Sequence, residues 1–387
     1  NDGDGDSDCN DSDCSAGPPC FFTCGPSGDG SYDFHVVELP DPVLSWPWPS
    51  TNSPTFYVDD YLDFIVTASD YASPITPQEL NDQLQAINDN EVPTQPTWSG
   101  DWNGDGVIDY PPTQEELADI IIDGVNVGFL LDGLAQRELK VGVVELSEGE
   151  SFQTADGDVY PGHQIILALE DPYVGVFPLF LHLPLGDGPF PVVQALPGHF
   201  ETAEGYRDIH NGAAYPGQGF ALATHSPRAY DGYTAEDLVT RTMLLNGFTM
   251  VAIRMYEALL VRKLLHCRPD IDPTRMGLIG HSGGSGTANL IVRVEDSYQA
   301  LVTDRTNQYW NWVDGILQDE TAPELYPWNT VINDFTTVEG TDILVTWYGY
   351  QVPLVDSDGL PMVNAGEYVY DEIFSYFGYH LGVGVSP

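Results

Sequence analysis

The chain has 387 residues, 42% of them hydrophobic and 12% aromatic, enough to bury a large core in one main domain with extensions. Its formal net charge is −47, from 59 acidic against 12 basic side chains, and its only lysines are Lys140 and Lys263. Such a surface repels phosphate backbones and anionic membranes, which excludes nucleic acid as a partner, and no apolar run is long enough to span a membrane.

Residues 1–30 read as an acidic, Asp/Cys-rich leader or linker, too polar to form a core. Asp2, Asp4, Asp6 and Asp8 alternate with Gly and Ser, the pattern of calcium-binding aspartate repeats and equally of a solvated tail. Four of the five cysteines, Cys9, Cys14, Cys20 and Cys24, fall in this stretch. Two disulfides among them imply an oxidising setting, hence a secreted protein, extracellular or at the cell surface. Their spacings lack the Cys-x-x-Cys pairs of a zinc site. Cys267 lies on an apolar helical pattern and reads as a buried free thiol. There is no signal-peptide pattern, so a processed chain or one cut from a longer precursor is expected. The acidity fits a secreted calcium binder, a high-salt habitat, or both.

Residues 31–135 form a Pro- and aromatic-rich N-terminal extension. It contains Trp46-Pro47-Trp48-Pro49, a strand-like run from Leu62 to Thr67, and a helix from Thr76 to Ile87 opened by Thr-Pro-Gln-Glu. Asp101, Asn103, Asp105, Val107 (through its carbonyl) and Asp109 have the alternate spacing of an EF-hand-like loop, with Gly106 sixth and Ile108 eighth. Pro112 stands where the bidentate Glu belongs, leaving Glu115 or Glu116 to substitute. The expectation is a structural Ca2+, against an Asn-Gly/Asp-Gly turn. Trp46, Trp48, Trp98 and Trp102 can line a carbohydrate surface or fill a core.

From residue 136 to 387 strands and helices alternate. Strands are predicted at Leu139–Glu145, Gln164–Leu169, Val174–Leu183, Pro191–Leu196, Phe220–Thr224, Met276–Ile279, Gly315–Gln318 and Asp342–Tyr348. One long helix is predicted over Leu244–His266, with Leu244, Phe248, Val251, Met255 and Leu259 on one face, and a last helix over Glu367–Phe377 before a final strand at His380–Val385. The expected class is α/β: a doubly wound, mostly parallel sheet with an irregular N-terminal extension.

The chemistry concentrates at Gly280-His281-Ser282-Gly283-Gly284, a Gly-x-Ser-x-Gly turn between a short apolar strand and a helix. That context strains one backbone position so that the Ser282 hydroxyl stands clear of the sheet, with the Gly283 N–H where an oxyanion forms. A second donor is expected from the backbone of His199 or Phe200, in the loop after Pro191–Leu196. In chain order Ser, acid, His, the only histidine after Ser282 is His380. His281 reads as packing on the far side of the turn.

From about Glu138 onward the chain resembles the acetyl xylan esterase and dienelactone hydrolase-like branch of the α/β-hydrolase superfamily. The resemblance is carried by GPFPVVQALPGH (188–199), the stretch from Arg241 to Gly286 with its Pro-Asp-Ile-Asp-Pro-Thr-Arg-Met-Gly approach to the turn, and TDILVTWYGY (341–350). It implies Ser282 as nucleophile, Gly283 as first oxyanion donor, and an acid after the penultimate strand, best matched by Asp358, then Asp356, with Asp319 a third option. The family's histidine follows the final strand, so it is expected near or beyond Pro387, or its role has passed to His380. The implied function is a secreted serine hydrolase cleaving a carboxylic ester, such as an acylated carbohydrate, through an acyl-enzyme and with no organic cofactor. The competing reading is a catalytically inactive hydrolase fold that self-associates at the cell surface as a structural, filament or binding subunit. A peptidase is the third.

Overall fold

The computed structural model describes residues 21–26, 32–36, 63–89, 91–92, 94, 111–132, 134, 139–153, 159–199, 201–226, 233–303, 312–313, 316–317, 321–334, 338, 340–345 and 370–383. Its strands are β1 (Phe21–Pro26), β2 (Tyr32–Val36), β3 (Leu139–Gln153), β4 (Val159–Asp171), β5 (Gly175–Leu183), β6 (Phe190–Leu196), β7 (Ala221–His225), β8 (Ile271–Gly280), β9 (Ala300–Thr303), β10 (Trp312–Val313), β11 (Ile316–Leu317) and β12 (Asp342–Val345). The longer helices are α1 (Pro77–Asn88), α2 (Gln114–Val125), α3 (Ala203–Ile209), α4 (Tyr233–Leu245), α5 (Met250–Cys267), α6 (Gly283–Val294) and α7 (Tyr370–His380).

Ten strands form one mixed sheet in the order β12-β9-β8-β6-β7-β5-β4-β3-β1-β2. The half from β12 to β7 is parallel, and the half from β5 onward is antiparallel. The α/β class read from the alternation is the class observed. The central strands are apolar on both faces because helices cover both. Val192, Leu196, Met276 and Leu278 point into one core with α5 and α6. Val193, Ala195, Leu222 and Ile279 point into a second core with Tyr206, Phe374 and Phe377. From β6 the chain crosses to β7 on one side and later to β8 on the other. The strand order thus reverses at β6, opening a crevice beyond the carboxyl ends of β6 and β8 where α/β sheets bind ligands.

Several expectations are corrected. The single helix over Leu244–His266 is two helices, α4 and α5, bent by 98° at Asn246-Gly247. Gly247 has φ 80°, and the N–H of Phe248 bonds the Met243 carbonyl, a left-handed cap that closes α4. Thr249 then caps α5 by accepting from the Ala252 N–H at 3.2 Å. Nearly every side chain of α5 is buried, Arg254, Glu257 and Lys263 included, so the one-face pattern understated its burial. Residues 63–67 are helical, not extended, with Phe64 and Ala68 one turn apart in the core. Gly315–Gln318 supplies β11 of a separate ribbon with β10. The last helix runs on to His380, so no strand begins there. Cys267 is disulfide-bonded and is not a free thiol.

The pattern change at residue 136 does not interrupt the core. Phe64, Leu117, Ile121, Val125 and Leu130 pack with Leu278 and the apolar side chains of α5. Two capping boxes start α1 and α2: Thr76 with Glu79, and Thr113 with Glu116. Among the described residues no single helix is long and apolar enough to cross a membrane.

Candidate active site

Ser282 stands at φ 50°, ψ −117°, a backbone region that costs a non-glycine residue roughly 1–3 kcal/mol. Four hydrogen bonds hold it there. The His281 N–H bonds the Leu196 carbonyl at 3.0 Å, adding one more bond to the β6–β8 ladder. Gly284 and Ser285 donate to the carbonyls of His281 and Ser282 at 2.8 and 2.9 Å, so α6 begins at once. The Ser285 hydroxyl ties back to the Gly280 carbonyl at 2.6 Å. The turn presses against the loop after β6: a Cβ on Gly284 would overlap the Leu196 carbonyl, and one on Gly198 would lie 2.8 Å from the Ser282 Cβ. Gly283 opens α6, so its N–H precedes the first i→i−4 bond and faces outward from the helix end.

His199 completes a second line of contact. A Cβ placed on Gly283 would meet His199 Nε2 at 2.7 Å, so that ring nitrogen borders the residue after Ser282. The opposite nitrogen, Nδ1, lies 2.9 Å from Glu236 Oε1 in the first turn of α4. Both side chains are enclosed, at 10% and 1% exposure. With Nδ1 engaged by Glu236, Nε2 is the ring nitrogen that faces the turn.

No family model matches the sequence, and no curated protein matches it. Solved structures do. An acetyl xylan esterase from a Paenibacillus species aligns at TM-score 0.45 and 11% identity, over 68% of this chain and 95% of its own. An acetyl xylan esterase from a Thermoanaerobacterium species aligns at 0.43 and 15%, over 68% and 94%. A glucuronoyl esterase from Solibacter usitatus aligns at 0.41 and 14%, over 62% and 86%. Strand order and strained serine turn are both those of one fold. It is the α/β-hydrolase fold.

Within the hydrolase fold the expected site residues are distributed unevenly. Ser282, Gly283 and His199 come together, and His199 contributes its ring, a role that breaks the Ser, acid, His order and that the sequence ranked below a backbone or loop-ordering one. His380 does not join them. It ends α7 and pairs with Asp342 at 3.0 Å. Asp342 is in register with Ala300, and Ala300 with Gly277, five residues before Ser282. Gly277 is three residues before the end of β8, so at about 3.3 Å per residue the backbone of Asp342 lies roughly 10 Å back from the carboxyl edge of the sheet and two strands away from β8. Phe200, Asp319, Asp356 and Asp358 lie outside the described residues, as do Asp101, Asn103, Asp105, Val107, Asp109 and the four tryptophans named above. Glu116 accepts from Thr113 through one carboxylate oxygen, at 2.9 Å from its N–H and 3.0 Å from its hydroxyl.

Beside the turn lies a second cluster that the sequence did not signal. Glu201 accepts from His210 Nε2 at 2.7 Å, from His281 Nδ1 at 2.8 Å and from the Gly198 N–H at 2.7 Å. The two imidazoles are 4.1 Å apart, centre to centre. Burial alone would raise the Glu201 carboxyl, but the hydrogen bonds and charges of the two histidines outweigh it and hold it at about 2. His281 was expected to pack on the far side of the turn; its ring instead enters this network. Glu236 also went unseen, because it sits 37 residues from His199 in a helix with no motif around it.

Proposed function

We propose that this chain is a secreted carboxylic-ester hydrolase working through an acyl-enzyme on Ser282, with His199 as base and Glu236 as the carboxylate that orients it. The observation carrying this reading is the His199 imidazole, held at Nδ1 by an enclosed glutamate and directed by Nε2 at the strained serine turn. As Ser282 Oγ attacks the ester carbon, its proton passes to Nε2, and Glu236 stabilises the imidazolium. The carbonyl electron pair moves onto oxygen, facing the Gly283 N–H. Collapse expels the alcohol, which takes the proton from His199. Water, deprotonated by the same nitrogen, then cleaves the acyl-enzyme and restores Ser282. The chain order is base, acid, serine, unlike the order usual in this fold; such triads are defined by geometry and role, not by sequence position.

An acyl group on a carbohydrate is the proposed ester, and the cell exterior or surface the proposed setting, in keeping with the −47 charge. A structural Ca2+ at Asp101–Asp109 accompanies this reading, so a chelator should lower the melting temperature in low-salt buffer. An unchanged value would remove the ion from the account.

The decisive experiment is labelling with a fluorophosphonate probe together with turnover of a short-chain aryl ester. Ser282→Ala should abolish both, and Glu236→Gln should lower kcat about 10⁴-fold, as loss of the orienting carboxylate does in other triads. Wild-type kcat in Glu236→Gln would remove that residue from the mechanism. Absence of Ser282-dependent labelling would leave a non-catalytic hydrolase fold, with a structural, filament or binding role.

A further inference from the structure

We propose that Glu201, His210 and His281 form a binding site for one divalent transition-metal ion, zinc being the best match to their donors. The three ligating atoms lie within 4.8 Å of one another, and each comes from a different element: the loop after β6, the end of α3, and the turn after β8. Two imidazole nitrogens and one carboxylate suit zinc and its neighbours and disfavour calcium and magnesium, which prefer all-oxygen sets. Glu201 lies 2.7 and 2.8 Å from the two nitrogens. A tetrahedral ion with bonds near 2.1 Å needs its donors roughly 3.4 Å apart, an opening of about 0.6 Å. The ion takes the place of the two ring protons that Glu201 now accepts, while the same three side chains stay around one point.

The surroundings resemble a built site. The Gly198 N–H donates to Glu201 at 2.7 Å and fixes the carboxylate, the kind of outer contact that orients metal ligands. His210 is buried at 6% side-chain exposure, whereas Glu201 and His281 retain 17% and 18%. One side of the cluster therefore faces solvent and leaves a fourth position for water or a ligand. Because His281 precedes Ser282, the ion would also lock the strained turn onto the loop after β6. This site is separate from the His199–Glu236 pair, and its test reads the metal itself, so failure of the esterase reading leaves it standing.

The test uses the full chain, stripped with a chelator and titrated with zinc chloride while calcium is in large excess to fill the acidic surface. The expected result is one zinc per chain, a rise in melting temperature, and tetrahedral visible bands when cobalt(II) is used instead. Glu201→Gln, which keeps side-chain volume, and His210→Ala should each weaken zinc by more than the roughly 10–100-fold caused by losing an outer partner of a metal ligand. His380 pairs with Asp342 two strands away from β8, and His380→Ala should bind as wild type. Near-UV circular dichroism identifies any variant that fails to fold. No zinc bound by the folded wild-type chain, or equal binding by wild type, Glu201→Gln and His210→Ala, would overturn the proposal.

Discussion

Ser282 was legible because everything that makes it a candidate nucleophile is local: an apolar strand, glycines on both sides, and a helix that starts immediately. Glu236 was not, because a carboxylate in a helix carries no mark of the histidine it will meet. Nor did the sequence distinguish the backbone of His199 from its ring, since that depends on how the loop after β6 lies over the turn. Gly198 tests this placement directly. Its Cβ would stand 2.8 Å from the Ser282 Cβ and 2.9 Å from His281 Nδ1, so Gly198→Ala must shift the serine turn and the loop after β6 relative to each other. Displacements near 1 Å at a reacting group cost about 100-fold in rate, and the fluorophosphonate labelling rate of Gly198→Ala should fall by that order. An unchanged rate would mean that Ser282 is not held against this loop.

At the scale of elements, composition and periodicity identified most strands of the sheet and the start of α1, while the joints between elements were misread. The α4–α5 break shows why. Leu244 and Phe248 continue a helical spacing, yet Gly247 takes a left-handed conformation and Thr249 restarts the helix in another direction. Thr249 is buried, capping α5 and donating to the Val125 carbonyl at 3.1 Å, so it also fastens α2 to the hydrolase core. Thr249→Ala removes the cap and leaves that carbonyl without this donor. A loss of roughly 1–2 kcal/mol is expected, seen as a lower urea midpoint at unchanged slope. A loss of only a few tenths would show that the joint is held by packing alone. Two strands away from β8, the pairing of His380 with Asp342 could not be foreseen. It needs the register of three strands, and register is a tertiary fact.

For the whole molecule, charge and burial set the response to solvent. A net charge of −47 stores self-repulsion, so moderate salt should raise the melting temperature by screening it. Two histidines act in the opposite pH sense to a paired one. Burial first, then the charge of Arg207, depresses His182 to about 3, and burial with Arg262 depresses His266 to about 4. Between those values and the ordinary 6.5 the unfolded chain binds more protons than the folded one, so stability falls as pH drops through that window. For the fully buried His182 the loss is up to about 1.4 kcal/mol per pH unit. His182→Gln should flatten the decline between pH 6 and about 4 relative to wild type; parallel curves would show that His182 titrates normally. The sequence by itself determined the class of fold, the apolar central strands and the serine turn, because each depends on neighbours only a few residues away. The tertiary structure alone decided which histidine reaches that turn, which carboxylate orients it, and that Glu201 gathers two further imidazoles. Those contacts join residues from nine to more than eighty positions apart, and no local pattern of charge or hydrophobicity encodes the distance between them.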